Sequence, residues 1–236
     1  MGNALSNRPA LKLSVIVPVL NECERIAETL VALEPLRVRG VEVLVVDGGS
    51  SDGTEDIAAA NADRVIVAPR GRATQQNAGA LQAGGDVLIF LHSDTRLPPD
   101  AETLITQALS DGKHVWGRFD VRFDSPQPMM SVVATMMNLR SRLTGIATGD
   151  QCIFVRRDVF AAVGGFPAIS LMEDIALSKM LRKKSAPACL RATAMTSARR
   201  WQKHGVWHTI LLMSWLRLAY VLGVAPDRLA RWYGYR

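Results

Sequence analysis

Four short apolar runs rich in Val and Ile, each followed by a segment of helical period, constrain this chain more than anything else in it. The runs are Leu13–Val19 (LSVIVPV), residues 41–46, Arg64–Val67 and residues 86–91. Most of their positions are apolar without alternation, as expected of strands buried on both faces. Residues 22–33 carry Ile26, Leu30 and Leu33 at helical spacing. Residues 54–60 start a helix after the glycine turn Gly48-Gly49 and Gly53, and residues 73–83 form one closed by Gly84-Gly85. Pro98-Pro99 opens a fourth helix that runs to about Leu109. Strands alternating with helices imply an α/β fold with right-handed crossovers and a mostly parallel central sheet.

Beyond Gly112 the pattern loosens. Residues 115–123 (VWGRFDVRF) alternate like a half-exposed strand, and residues 129–143 read as a Met-rich helix. Residues 151–155 read as a strand, and residues 158–163 as a short helix ending at Gly164-Gly165. There is no internal repeat. The expected division is one α/β domain over residues 1–195 and a basic, apolar helical appendage over residues 196–236.

Carboxylates sit where such a sheet binds ligands. Asp47 ends the second apolar run, Asp94 lies just past the fourth, and Glu173-Asp174 opens the helical stretch LMEDIALSKML. Open α/β sheets bind ligands beyond the carboxyl ends of their strands. Three acidic groups at one edge fit a site for a nucleotide, a metal and a general base.

Composition removes several alternatives. The 3 cysteines of this 236-residue chain are far apart, so neither a disulfide framework nor a paired-cysteine zinc site is read, and reduced cytosolic thiols are expected. The first residues lack a basic region followed by an apolar one, so no secretory signal is read, although Met1–Ser6 fits a short N-myristoylation pattern. Charge is segregated: residues 179–236 carry 12 Lys/Arg and one acid, Asp227, within a chain of net charge +6. Without a DNA-reading motif or an aromatic RNA-binding box, this basic end points to phosphate or a membrane surface rather than nucleic acid. Residues 206–224 are nearly all apolar but are interrupted by His208 and Arg217, which argues against a spanning segment. Leu211, Leu212, Trp215, Leu216, Ala219 and Leu222 are expected on one helical face. That face would pack on the domain, join a second copy, or lie at a cytoplasmic membrane surface.

The motifs together resemble a family. Ser14 through Glu22 (SVIVPVLNE), VVDGGSSDGT around Asp47, Asn77-Ala78-Gly79, FLHSD ending at Asp94, and Glu173-Asp174 follow the motif order of inverting family 2 glycosyltransferases with the GT-A fold, across roughly residues 13 to 185. The LHSDT, GDQ and MEDI variants resemble a bacterial subgroup named for association with radical-SAM and selenium-related domains. The resemblance implies a UDP- or GDP-sugar donor, an acceptor hydroxyl, and Mn²⁺ or Mg²⁺ as cofactor.

It also implies roles. Asp94 would hold the metal, with His204 completing its shell, while Pro18, Asn21, Glu22 and Asp47 would line the nucleoside pocket. His92 and Ser93 stand in the family's Asp-x-Asp position, where His92 replaces the first Asp and unsettles nucleotide preference. Arg72 and Arg200 would approach the diphosphate, as would Arg70. Asp174 would be the general base and Glu173 its orienting neighbour, with Asp150 and Trp201 on the acceptor side. Arg199-Arg200-Trp201 resembles the Arg-Trp of a QxxRW motif whose Gln position here holds Ser197.

Plainer readings stand beside these. Turn chemistry alone selects Asp before Gly-Gly at Asp47, and two acids in a first helical turn favour the dipole at Glu173-Asp174. Asp52 is expected to hold its loop or cap the helix at Thr54. Two rival functions are a sugar-nucleotide nucleotidyltransferase and a binding module without catalysis. The first loop, PVLNECER, lacks the Gly-rich, lysine-bearing signature of the former, and only His92 supports the latter.

Overall fold

The computed structural model describes residues 11–234, so the pattern at Met1–Ser6 lies outside the described residues. The chain opens as strand β1 (Leu13–Val19), helix α1 (Cys23–Val38), β2 (Glu42–Asp47), α2 (Thr54–Asn61), β3 (Arg64–Val67), α3 (Arg72–Gln82) and β4 (Val87–Phe90). It continues through β5 (Thr95–Arg96), α4 (Ala101–Ser110), β6 (Trp116–Phe123), α5 (Pro128–Thr144), β7 (Phe154–Arg156), α6 (Arg157–Ala162), α7 (Glu173–Leu181) and β8 (Ala188–Thr196). Three helices close it: α8 (Arg199–His204), α9 (Val206–Val221) and α10 (Pro226–Tyr233).

Among the described residues one sheet carries the eight strands in the order β3-β2-β1-β4-β7-β6-β8-β5. Strands β3, β2, β1 and β4 are mutually parallel, so their carboxyl ends share one edge. Strand β7 runs antiparallel to both of its neighbours, β8 runs parallel to β6, and β5 runs antiparallel to β8. The expected α/β architecture with a mostly parallel sheet is present.

Successive residues of a strand point to opposite faces. Val15 and Val17 enter the core on one side, with Val43 and Val45, while Ile16 enters the other with Leu44 and Val46. Helices cover both faces, which is why these runs carry almost no polar residue. Each such fully buried side chain is worth roughly 1.5–3 kcal/mol relative to exposure. Helix α3 lies so close to the sheet that a Cβ on Gly79 would stand 2.5 Å from Ile16 Cγ2. Only glycine permits that approach.

The boundaries differ from expectation in four places. Helix α1 continues through Pro35 to Val38, because buried Leu36 extends the apolar stripe while Pro35 faces solvent. The strand expected over residues 151–155 is instead a 3-10 turn, Gly149–Gln151, followed by β7. Gln151 is completely buried and its side-chain oxygen accepts the Thr148 N–H at 3.3 Å, which favours a turn over a ladder position. Strands β5 and β8 were not anticipated. In α9 the buried residues are Thr209, Leu216 and Ala219, whereas Leu211, Trp215 and Leu222 are exposed, so the expected single face is split.

Helices α9 and α10 pack back on the domain. Leu216 and Ala219, with Leu229 and Ala230, meet Leu171, Met172 and Ile175 at the start of α7. Among the described residues no helix is long and apolar enough to cross a membrane.

Candidate active site

The carboxyl ends of β1 and β4 open onto a cavity of ≈ 1490 Å³. Pro18, Glu22, Arg72, His92, Ser93 and Asp94 line its sheet side. Asp150, Glu173, Asp174, Arg200, Trp201 and His204 line the side built by the 3-10 turn, α7 and α8. Arg70 is also a wall residue. Of the expected site residues, only Asn21 and Asp47 are absent from the walls.

Those two shape the loops beneath. Asp47 is 1% exposed, and its carboxylate accepts the N–H groups of Gly49 (2.9 Å) and Ser50 (2.8 Å) together with the Ser50 hydroxyl. Asn21 has φ 52°, donates its N–H to Ser50 Oγ and accepts the Ser51 N–H. Asp52 accepts from Thr54 and from the Cys23 N–H, holding its carboxyl well below the usual carboxylate range. The loops after β1 and β2 are thereby tied to each other, and Glu22 is fixed at the cavity. The Gln75 side chain donates to Val19 O (2.7 Å) and Val46 O (2.8 Å), closing the same junction from α3.

On the sheet side, burial raises the Glu22 carboxyl above its ordinary value; Arg199 opposes the shift and the Asp94 charge adds to it. Two carboxylates within electrostatic range, facing an open cavity, make an oxygen-rich corner. Among the described residues no three His, Cys, Asp or Glu side chains converge as a ready-made ligand set. Asp94 and His204 both line the cavity.

The opposite wall is built around Asp174. Its Oδ2 accepts the Gly149 N–H at 2.9 Å and its Oδ1 the Ile175 N–H at 2.7 Å, which fixes the carboxylate at the start of α7. Glu173 is 3% exposed and pairs with Arg72 Nη1 at 3.2 Å. Burial pushes Glu173 up, Arg72 opposes this, and the adjacent Asp174 charge reinforces it. His92 Nδ1 lies 3.3 Å from Asp150 Oδ1. Burial opposes the Asp150 charge, but His92 and the cations Arg72 and Arg200 outweigh it and hold Asp150 below its ordinary value.

Arg200 stacks 4.4 Å from the Tyr233 ring, and Trp201 meets Phe123 edge-on at 5.6 Å. Both therefore tie α8 to its neighbours as well as facing the cavity. Sequence reasoning missed Gln75, Arg140 and Arg217 as wall residues. Arg140 lies seven residues after buried Val133, on the apolar stripe of α5, and that misplaced charge was the available signal.

The profile of the Glycosyl transferase family 2 matches residues 14–164. The chain belongs to that family. An undecaprenyl-phosphate 4-deoxy-4-formamido-L-arabinose transferase of Yersinia pestis is 31% identical over 163 residues, covering 64% of this chain and 49% of that protein. The chain thus spans about half the length of the curated relatives it matches. Among solved structures, S. aureus TarS 1-349 superposes with a TM-score of 0.64 at 19% identity, over 80% of this chain and 61% of that one. The mannosyltransferase PcManGT from Pyrobaculum calidifontis, solved with GDP-Man and Mn²⁺, gives 0.62 at 19% identity, over 95% and 69%. At this identity the structural matches establish that family 2 members and this chain share the GT-A fold.

Proposed function

We propose that this chain is an inverting glycosyltransferase that moves a sugar from a nucleotide-diphosphate sugar to an acceptor hydroxyl. One observation supports the reading: Glu22, Asp94, Asp150, Glu173 and Asp174 all line a single cavity. Inverting transfer needs the leaving diphosphate on one face of the sugar and a base on the opposite face.

Pro18, Glu22 and Ser93 form the donor wall, and Asp47 and Asn21 act through the loop they hold. Arg72 and Arg200 supply positive charge between the walls. The Glu22–Asp94 corner suits a hard divalent cation of the Mn²⁺ or Mg²⁺ type, which takes oxygen ligands. Since no complete protein ligand set is present among the described residues, donor oxygens and water would supply the rest of the shell. When bound, such a cation neutralises charge on the leaving diphosphate.

Asp174 takes the proton of the acceptor hydroxyl. Its two backbone hydrogen bonds hold it in place, and Glu173, anchored by Arg72, fixes the helix turn that presents it. The LHSDT, GDQ and MEDI variants favour the radical-SAM and selenodomain-associated subgroup. Exposed Trp207, Leu211 and Trp215, near the basic C-terminal helices, support peripheral attachment of the appendage to a membrane surface.

Nucleoside diphosphate release with a panel of UDP- and GDP-sugars tests the reading. Asp174→Asn should lower single-turnover rates by about two orders of magnitude or more, with nucleotide affinity unchanged. Asp94→Ala should instead abolish the Mn²⁺ enhancement of nucleotide binding seen by calorimetry. Normal turnover in Asp174→Asn would place the base elsewhere, with Asp150 the next group on that wall.

A further inference from the structure

Among the described residues, two arginines that line the cavity make no side-chain hydrogen bond or ion pair. Arg140 comes from α5 and Arg217 from α9, and both are wall residues. Arg140 Nε and Nη2 are buried and find no hydrogen-bond partner among the described residues. Arg217 makes no hydrogen bond or ion pair with any described residue. Asp174 accepts the Gly149 and Ile175 N–H groups and makes no hydrogen bond or ion pair with either arginine. Burial weakens both guanidinium charges, and repulsion from Arg217 helps bring Arg140 down to about 10. Leaving the buried Arg140 donors unpaired is costly unless a ligand meets them, and half-buried Arg217 stands beside them with its charge opposed by burial.

Their position puts them near the proposed base. The charges that act on Arg217 are Asp174 and Asp150, and those on Arg140 include Asp174. Beyond the two arginines the wall turns apolar. Val132 and Met136 of α5 and Met213 of α9 line the same cavity, above the contact of Ile210 with buried Val133 and Met137. Val132 and Met136 are 54% and 60% exposed, so this stretch is open to solvent. Methionines suit an irregular, flexible apolar guest.

We infer that Arg140 and Arg217 form a phosphate subsite for the acceptor, which is an amphiphile whose apolar chain lies between α5 and α9. This rests on the glycosyltransferase reading. It adds that the hydroxyl served by Asp174 belongs to a lipid-phosphate headgroup. Guanidinium groups bind phosphate oxygens with charge-assisted hydrogen bonds, and a cavity lined both by these arginines and by apolar residues of α5 and α9 matches both parts of such a molecule.

The test uses the full chain and three probes: a short-chain lysophosphatidylglycerol below its micelle concentration, glycerol 3-phosphate, and a monoacylglycerol of equal chain length. Calorimetry should show the first binding at least about tenfold tighter than either of the others. Arg217→Gln and Arg140→Gln should each weaken it about tenfold or more, the scale of a charged hydrogen bond. Equal binding of glycerol 3-phosphate would leave a soluble-phosphate site and overturn the lipid assignment. Equal binding of the monoacylglycerol, or unaltered affinity in both variants, would overturn the phosphate subsite. If Arg140→Gln fails to fold, Arg217→Lys against Arg217→Gln carries the test, since lysine should restore part of the affinity. UDP and GDP binding by the wild type is read in parallel. Nucleotide binding without lipid-phosphate binding defeats only this inference, whereas absent nucleotide binding defeats the glycosyltransferase reading.

Discussion

At the residue scale, the contact between Gly149 and His92 shows how little room the acceptor wall has. A Cβ on Gly149 would stand 2.3 Å from His92 Nε2, which is buried and has no hydrogen-bond partner among the described residues. The other ring nitrogen faces Asp150. Gly149 also donates the N–H that fixes Asp174. Gly149→Ala should therefore push the imidazole aside and disturb Asp150 and Asp174 together. Turnover is expected to fall at least about tenfold, while stability drops by the roughly 1–3 kcal/mol typical of overpacking. Steady-state kinetics beside a urea melt checks this, and an unaffected kcat would show that the wall tolerates the shift. The position of Asp94 and Asp174 at the cavity was legible in the sequence because each follows an apolar run or opens a periodic helix. At Asp47 a nucleoside contact and a self-capped turn select the same residue before Gly-Gly, and the structure adds the three bonds that its carboxylate makes within the turn.

At the scale of elements, the strands easiest to read were those whose two faces are both covered. In β1 and β2 nearly every side chain is buried, so the apolar run is continuous. Strand β8 (ACLRATAMT) is only partly buried and mixes small, charged and apolar residues, so neither period emerges. Strand β5 has 2 residues and exists only because β8 pairs with it. Helix α9 posed the opposite difficulty: it is apolar almost all round, so the sequence marks a helix without marking its buried side. The structure selects Leu216, which is 0% exposed and lies against the segment leading into α7. Met172 there holds φ 71°, a left-handed conformation that a non-glycine residue adopts only when its surroundings impose it. Leu216→Ala should cost about 2–5 kcal/mol, as for other buried leucines. It should also loosen the turn presenting Glu173 and Asp174, lowering kcat more than nucleotide affinity. Chemical denaturation and nucleotide titration on one preparation separate the two effects, and loss of nucleotide affinity alone would contradict the placement of α9 on the acceptor side.

For the molecule as a whole, ionisable groups act on stability in opposite directions. Glu42 pays a burial cost, yet the Ser14 hydroxyl, Arg64 and the Gly84 N–H together hold it below its ordinary value of 4.5. Asp63 likewise loses solvation, but Arg37 at 2.8 Å and the Val43 N–H at 2.7 Å hold it below 3.8. For both, the unfolded chain binds protons more readily than the folded one. Their contribution is complete above the unfolded value and is lost as pH falls through the depressed folded value. Arg37 and Asp63 are partly exposed, so solvent screening limits that pair to about 1 kcal/mol or less. Glu173 runs the other way. Its folded carboxyl is raised by burial, so its contribution is complete below 4.5 and diminishes as pH rises through the raised value. Stability should therefore fall on acidification as Glu42 and Asp63 protonate, and Glu173 should subtract from it on the neutral side. Thermal melts across pH on three chains test the assignment. Asp63→Asn should flatten the acid limb, because that position no longer titrates. Glu173→Gln should leave the acid limb in place and remove the decline toward neutrality, keeping the neutral hydrogen-bonding shape that Arg72 can still meet. An acid limb unaltered in Asp63→Asn, or a neutral-side decline that persists in Glu173→Gln, would mean that other groups govern the pH response.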